Sequence, residues 1–254
     1  MLLVIFLIFW VLRRQPEASS SPALAGQTAA IVDQVALTQP NPAFTQQALA
    51  YLIESGFDVD VYEGEDVTVE FFRTLPTRGY DLILFRTHST NDFLDPAPPG
   101  KPVYLYTGQR HDRNRYTYLQ LTQQIMAGRV LYEEDAPALF IVGPKFVRQT
   151  MEGRFDHTLM IIGGCDSLST TDMAQALVER GASAVVGWNG LVDTTHNDEA
   201  LLDLIRRLVV EGQTVQQAVT GASGDLGPDP AFGSEIGYFP PDEGGQRIGF
   251  AGTD

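Results

Sequence analysis

With 254 residues, 44% of them hydrophobic and 10% aromatic, the chain can bury a full core, most simply as one α/β domain with insertions, and is neither a disordered segment nor a repeat protein. Its 32 acidic residues outweigh 17 basic ones, and the net charge of -15 excludes the Lys/Arg-driven recognition of nucleic acid and of anionic membrane surfaces while remaining compatible with a basic substrate. The single cysteine, Cys165, excludes an internal disulfide framework and the common cysteine-based zinc sites, so the redox compartment cannot be read from bridges; neither a metal nor a cofactor is expected.

Residues 1–14 hold an apolar run closed by Arg13 and Arg14. It is shorter than the ~20 residues needed to cross a bilayer as a helix, and is expected to be a membrane anchor or uncleaved signal, with the side of the membrane left open. A Ser/Pro/Ala-rich linker follows over 15–28. A strand is expected over 29–32, then a helix with Asn41 as N-cap and Pro42 at its first position. Phe44, Ala48, Tyr51 and Leu52 give that helix one apolar face, and Gly56 closes it. Phe57, Val59 and Val61 alternate with Asp58 and Asp60, the pattern of a half-exposed strand near a sheet edge. A helix over 67–75 stops at Pro76, and a buried strand over 82–85 ends in a polar turn that carries His88. This alternation predicts a parallel, doubly wound sheet.

Between 91 and 135 the pattern breaks. Pro96, Pro98, Pro99 and Pro102 mark a loop, and 103–106 and 116–121 read as strands of a hairpin-like insertion. A further apolar run covers 139–142. Residues 159–162 read as a strand buried on both faces, leading through Gly163 and Gly164 into Cys165. Ser169, Thr170 and Thr171 offer caps for a helix over 172–180 that Gly181 ends. Another buried strand over 183–188 precedes a helix over 196–211, and Thr214 with Gln217 fits a capping box. The tail over 221–254 is expected to be irregular, with a possible edge strand over 235–239. The domain itself is placed at 29–220.

A lone cysteine usually behaves as a small buried hydrophobe. Here a second segment of the same form, the strand ending at His88, shifts the balance. Side by side, the two strands would bring an imidazole and a thiol together at one sheet edge, as nucleophilic thiol catalysis requires. His111, His157 and His196 match no motif and read as surface residues. A metal site built from His196 with Asp193 or Asp198 lacks any standard ligand spacing.

Three pieces carry a family likeness: Phe85-Arg86-Thr87-His88-Ser89, Gly164-Cys165-Asp166-Ser167, and the helix, Gly-Ala, apolar strand, Trp and acidic residue running over 177–193. Over 29–219 the chain resembles the clan CD cysteine peptidases, in particular their gingipain, separase and CHAT-domain branch. The resemblance implies an α/β fold, a caspase-like three-layer sandwich with a mainly parallel central sheet, acting as a cysteine endopeptidase on a peptide or protein substrate. It makes Cys165 the nucleophile and His88 its acid/base partner, and places the oxyanion hole at the backbone N–H groups of Cys165 and Ser89. Trp188 would wall the specificity pocket, or else be a core residue. Asp193 would read a basic P1 residue, or else cap the helix after it. Two positions depart from the family pattern: Ser89 stands where glycine is usual, and Asp166 sets a negative charge beside the thiol. Both favour the alternative, a catalytically silent caspase-like module that binds a peptide or protein. A flavodoxin-like ligand domain is disfavoured, because Asp33-Gln34-Val35-Ala36 stands where a Gly-rich phosphate loop would follow the first strand.

Overall fold

Strand β1 (Thr28–Asp33) is buried from Ala29 onward, and a 3-10 turn over Val35–Leu37 leads from it to helix α1 (Pro42–Glu54). The helix starts where the sequence places it: the Asn41 side chain accepts the Phe44 N–H at 3.2 Å, and Pro42 fills the first position, where no N–H is needed. Edge strand β2 (Asp58–Glu63) is largely exposed. Helix α2 (Val69–Thr74), capped by the Thr68 hydroxyl, precedes β3 (Leu82–Arg86), in which all residues are buried. The structure is a computed structural model that describes residues 26–91, 101–130 and 136–248. The apolar segment expected to contact a membrane lies outside the described residues, among which no helix is long and apolar enough to cross one.

The insertion forms a sheet of its own. Strands β4 (Ser89–Thr90), β5 (Tyr104–Arg110), β6 (Ile125–Gly128) and β7 (Leu139–Val142) pair antiparallel in the order β4-β5-β7-β6. The strand expected over 116–121 is instead the short helix α3 (Thr117–Leu121), entered through Tyr116 at φ 54. Tyr118 and Leu121 are 70% and 80% exposed there. These strand-forming side chains find no neighbouring strand, so local preference loses to context. Helix α4 (Pro144–Gln149) then returns the chain to the main sheet.

That sheet is completed by β8 (Leu159–Gly163), α5 (Asp172–Glu179), β9 (Ala184–Trp188), α6 (Thr194–Ile205), α7 (Val215–Leu226) and β10 (Ile236–Phe239). Thr214 and Gln217 form the expected capping box of α7. The tail is more ordered than its Gly/Pro content suggests: α7 runs past residue 220, β10 pairs antiparallel with β9, and Ile236 and Ile248 are buried.

The six strands lie in the order β10-β9-β8-β3-β1-β2, all parallel except β10. Alternate side chains serve opposite faces. Ile31, Leu84, Ile161 and Val186 pack under α1, α6 and α7. Val32, Phe85, Ile162 and Val185 pack under α2, α4 and α5. The result is an α/β fold with helices on both faces of a mostly parallel sheet. The connection from β1 moves outward to β2, while the next returns across it to β3. This reversal opens a crevice beyond the carboxyl ends of β1 and β3, where open α/β sheets place their ligands.

Candidate active site

Strands β3 and β8 pair in parallel with Arg86 opposite Gly163, so the turns carrying His88 and Cys165 leave the sheet level with one another. Three contacts tie these turns. The Thr87 N–H donates to the Gly163 carbonyl at 3.0 Å, and the Ser89 hydroxyl donates to the Cys165 carbonyl at 2.5 Å. Gly164 sits so close beneath them that a Cβ there would lie 2.5 Å from both Ser89 Oγ and Thr87 O. Ser89 thus has a structural role, fastening one turn to the other.

The two side chains share an edge but make no direct hydrogen bond among the described residues. His88 Nε2 lies 2.9 Å from the Thr38 hydroxyl, and Cys165 Sγ donates to the Val192 carbonyl at 3.7 Å. The Tyr106 ring stands edge-on to His88, 5.9 Å between centroids. Burial, reinforced by the Arg86 charge, pulls His88 down to about 4. Burial, with Asp166 adding to it, pushes the Cys165 thiol up. Near neutral pH the pair is a neutral imidazole and a neutral thiol rather than a preformed ion pair.

Two N–H groups suit an oxyanion. That of Cys165 has no acceptor oxygen among the described residues. Tyr106 donates its N–H to the His88 carbonyl at 3.0 Å, so by the alternation of antiparallel pairing the Ser89 N–H points away from β5.

Neither expected pocket residue is among those lining the cavity beside this edge. Trp188 is 1% exposed and donates Nε1 to Asn197 Oδ1 at 2.9 Å, a core side chain satisfied from within. Asp193 caps α6, its Oδ1 accepting the N–H groups of Thr195 at 2.9 Å and His196 at 3.3 Å. Asp193→Ala is expected to lower stability by about 1 kcal/mol in urea unfolding, and Asp193→Asn, which keeps a capping oxygen, by a few tenths at most. His196, expected at the surface, is buried against Trp188, with ring centroids 5.5 Å apart. His111 is half-buried and bonded to Gln120 Oε1 at 2.9 Å, and His157 is exposed.

The residues that sequence reasoning missed come from the exit of β1. Gln34 is buried and accepts the His88 backbone N–H at 3.0 Å through Oε1. Arg86, two residues before His88, is buried between two carboxylates. Its Nη1 reaches Asp33 Oδ1 at 2.9 Å, and Nε and Nη2 reach Asp198 at 2.6 and 3.0 Å. The signal that singled out His88 and Cys165, a polar residue just past a buried parallel strand, applies equally to Asp33 and Gln34. Beside them, between the starts of α1 and α6, opens a cavity of about 560 Å³ lined by Gln39, Phe44, Arg86, Thr194, Asp198 and Glu199 among others. With Asp198 held by Arg86 and Asp193 by the helix cap, no cluster of His, Cys, Asp and Glu among the described residues is arranged to hold a metal ion.

No known family model matches the chain, and no characterised protein matches it in sequence.

Proposed function

We propose that the protein is a caspase-like cysteine endopeptidase, held at a membrane by residues 1–14, in which Cys165 attacks a peptide carbonyl and His88 carries the proton. The observation that carries this reading is the level exit of β3 and β8, which sets the only thiol and an imidazole at one sheet edge, their turns joined by the Ser89 to Cys165 bond. As Sγ bonds to the carbonyl carbon, the neutral imidazole takes the thiol proton. The N–H groups of Cys165 and Ser89 receive the oxyanion. His88 then gives its proton to the leaving amine, and water, deprotonated by the same imidazole, hydrolyses the thioester. The cavity beside the edge has room for a substrate side chain, and the exposed Glu199 in its lining suits a basic one, Asp198 being already paired with Arg86. The second reading, a silent peptide-binding module, draws on the raised thiol and on Asp166 beside it.

An electrophilic peptidyl ketone with lysine at P1 provides the test. It is expected to label Cys165 in the wild type and at least about 100-fold more slowly in His88→Ala, the usual contribution of a positioned base. Because His88 titrates near 4, the wild-type rate should hold through pH 6.5 and fall only as the pH drops toward about 4, where the base becomes protonated. Equal labelling of the two proteins would favour the silent module.

A further inference from the structure

The base of the proposed reaction has two ring nitrogens, and among the described residues only one of them has a hydrogen-bond partner. His88 Nε2 lies 2.9 Å from Thr38 Oγ1, while Nδ1 has no hydrogen-bond partner among the described residues. Thr38 ends the 3-10 turn that leaves β1, and that turn is held at both ends. Asp33 Oδ1 accepts the Ala36 N–H at 2.9 Å, and the Val35 carbonyl accepts the N–H groups of Thr38 at 2.9 Å and Gln39 at 2.8 Å. The same carbonyl stands 3.3 Å from the Thr38 hydroxyl. Gln34, on the same turn, holds the His88 backbone N–H. One short segment thus grips the histidine by its main chain and by the far nitrogen of its ring.

We infer that Thr38 is the positioning residue of His88: it accepts the Nε2–H, directs its own hydroxyl proton toward the Val35 carbonyl, and so leaves Nδ1 as the nitrogen that takes the Cys165 proton. A hydroxyl has one proton and two lone pairs, so it can act as donor to one neighbour and acceptor from another. Once His88 has taken the thiol proton, both ring nitrogens carry hydrogen, and Nε2–H must find an acceptor or lose a hydrogen bond at the moment it becomes charged. No carboxylate contacts Nε2 among the described residues. Thr38 can accept in that state because the Val35 carbonyl is there for its own proton. The part that an acidic group plays in many nucleophile and base pairs falls here to a neutral hydroxyl, which fixes the tautomer without adding a charge.

This inference rests on the dyad proposed above, and its test separates the two. In protein with 15N-labelled histidine at neutral pH, the His88 signals, identified by their loss in His88→Ala, are expected to show Nε2 protonated and Nδ1 unprotonated. Thr38→Val, nearly isosteric, should abolish that preference and slow labelling of Cys165 by the lysyl ketone about tenfold, the scale of one hydrogen bond to a charged group. Thr38→Ser, which keeps the hydroxyl, should restore both tautomer and rate, and far-UV circular dichroism should be unchanged in all three proteins. A wild-type His88 with its proton on Nδ1, or a Thr38→Val protein that labels at the wild-type rate while His88→Ala is slow, would overturn the role of Thr38 and leave the dyad standing. Wild-type labelling in His88→Ala would remove the dyad itself.

Discussion

Arg86→Met is expected to destabilise the protein by about 3–5 kcal/mol at pH 7, the loss typical when one partner of a buried ion pair is removed. Arg86 and Asp33 are each 1% exposed, and the guanidinium links Asp33 on β1, the Gln39 carbonyl ahead of α1, and Asp198 on α6. Asp198 also accepts from Asn41, the N-cap of α1. Methionine fills much of the volume but leaves two buried carboxylates with no counter-charge. Burial already holds the Asp33 carboxyl above the usual carboxylate range, and without the guanidinium it should rise further above its value in the unfolded chain. A carboxyl raised in this way destabilises most above its folded pKa; the cost shrinks as the pH falls below that value and vanishes below the unfolded one. The deficit should therefore shrink as the pH falls from 7 toward 5. Urea unfolding of wild type and variant at both pH values gives the answer. A loss below 1 kcal/mol at pH 7, or one that grows on acidification, would show that water already compensates the site. Asp33→Asn combined with Asp198→Asn in the Arg86→Met background should recover part of the stability, because the uncompensated charges are then gone.

Gly164→Ala should act on the chemistry more than on the fold. The new methyl would lie 2.5 Å from Thr87 O and from Ser89 Oγ. The hydroxyl can rotate away, but the carbonyl belongs to the backbone that carries His88, so the two turns must part. A displacement of about 1 Å between reacting groups costs on the order of 100-fold in rate, whereas overpacking of this kind costs about 1–3 kcal/mol in stability. Labelling of Cys165 should fall accordingly while the protein still folds. Gly224→Ala is the control: beyond its chain neighbours and the backbone of its own helix, no atom lies within 4 Å of the added methyl on α7, and alanine there should raise stability by about 0.5–1 kcal/mol with no change in rate. Similar labelling by the Gly164→Ala variant and the control would mean that the spacing of the turns does not matter.

What was legible in the sequence was local. The short apolar strands that end at His88 and Cys165, the Asn41 and Pro42 start of α1, and the Thr214 capping box declare themselves within a few residues, because burial on both faces, a fixed proline φ and a reciprocal cap need no distant partner. Tyr116 to Leu121 misled for the same reason: aromatic and β-branched side chains favour a strand only when another strand lies beside them. Trp188 carried two readings because its residue type suits a pocket wall and a core equally, and only the packing of Asn197 and His196 around it decides. The clamp on Arg86 could not be read locally at all. Its carboxylates come from β1 and from α6, and nothing near Phe85 in the sequence says that an arginine there is neutralised from two sides. Thr38 was invisible on the same ground, since its value depends on where a histidine fifty residues later comes to rest.

The neighbourhood of β3 and β8 also constrains how the chain can be made. During synthesis β1, β2 and β3 emerge first, and the whole antiparallel sheet of the insertion follows before β8 exists. Until then one edge of β3 has bare N–H and C=O groups flanked by side chains that end fully buried. Such an edge is a template for pairing with any other chain at hand, and the long wait for its proper partner is the kind of non-local closure that slows folding. Nascent chains are therefore most vulnerable to one another in this interval. The thiol appears only at the end of the segment that closes the gap, so the sulfur and the strand that carries it leave the ribosome together.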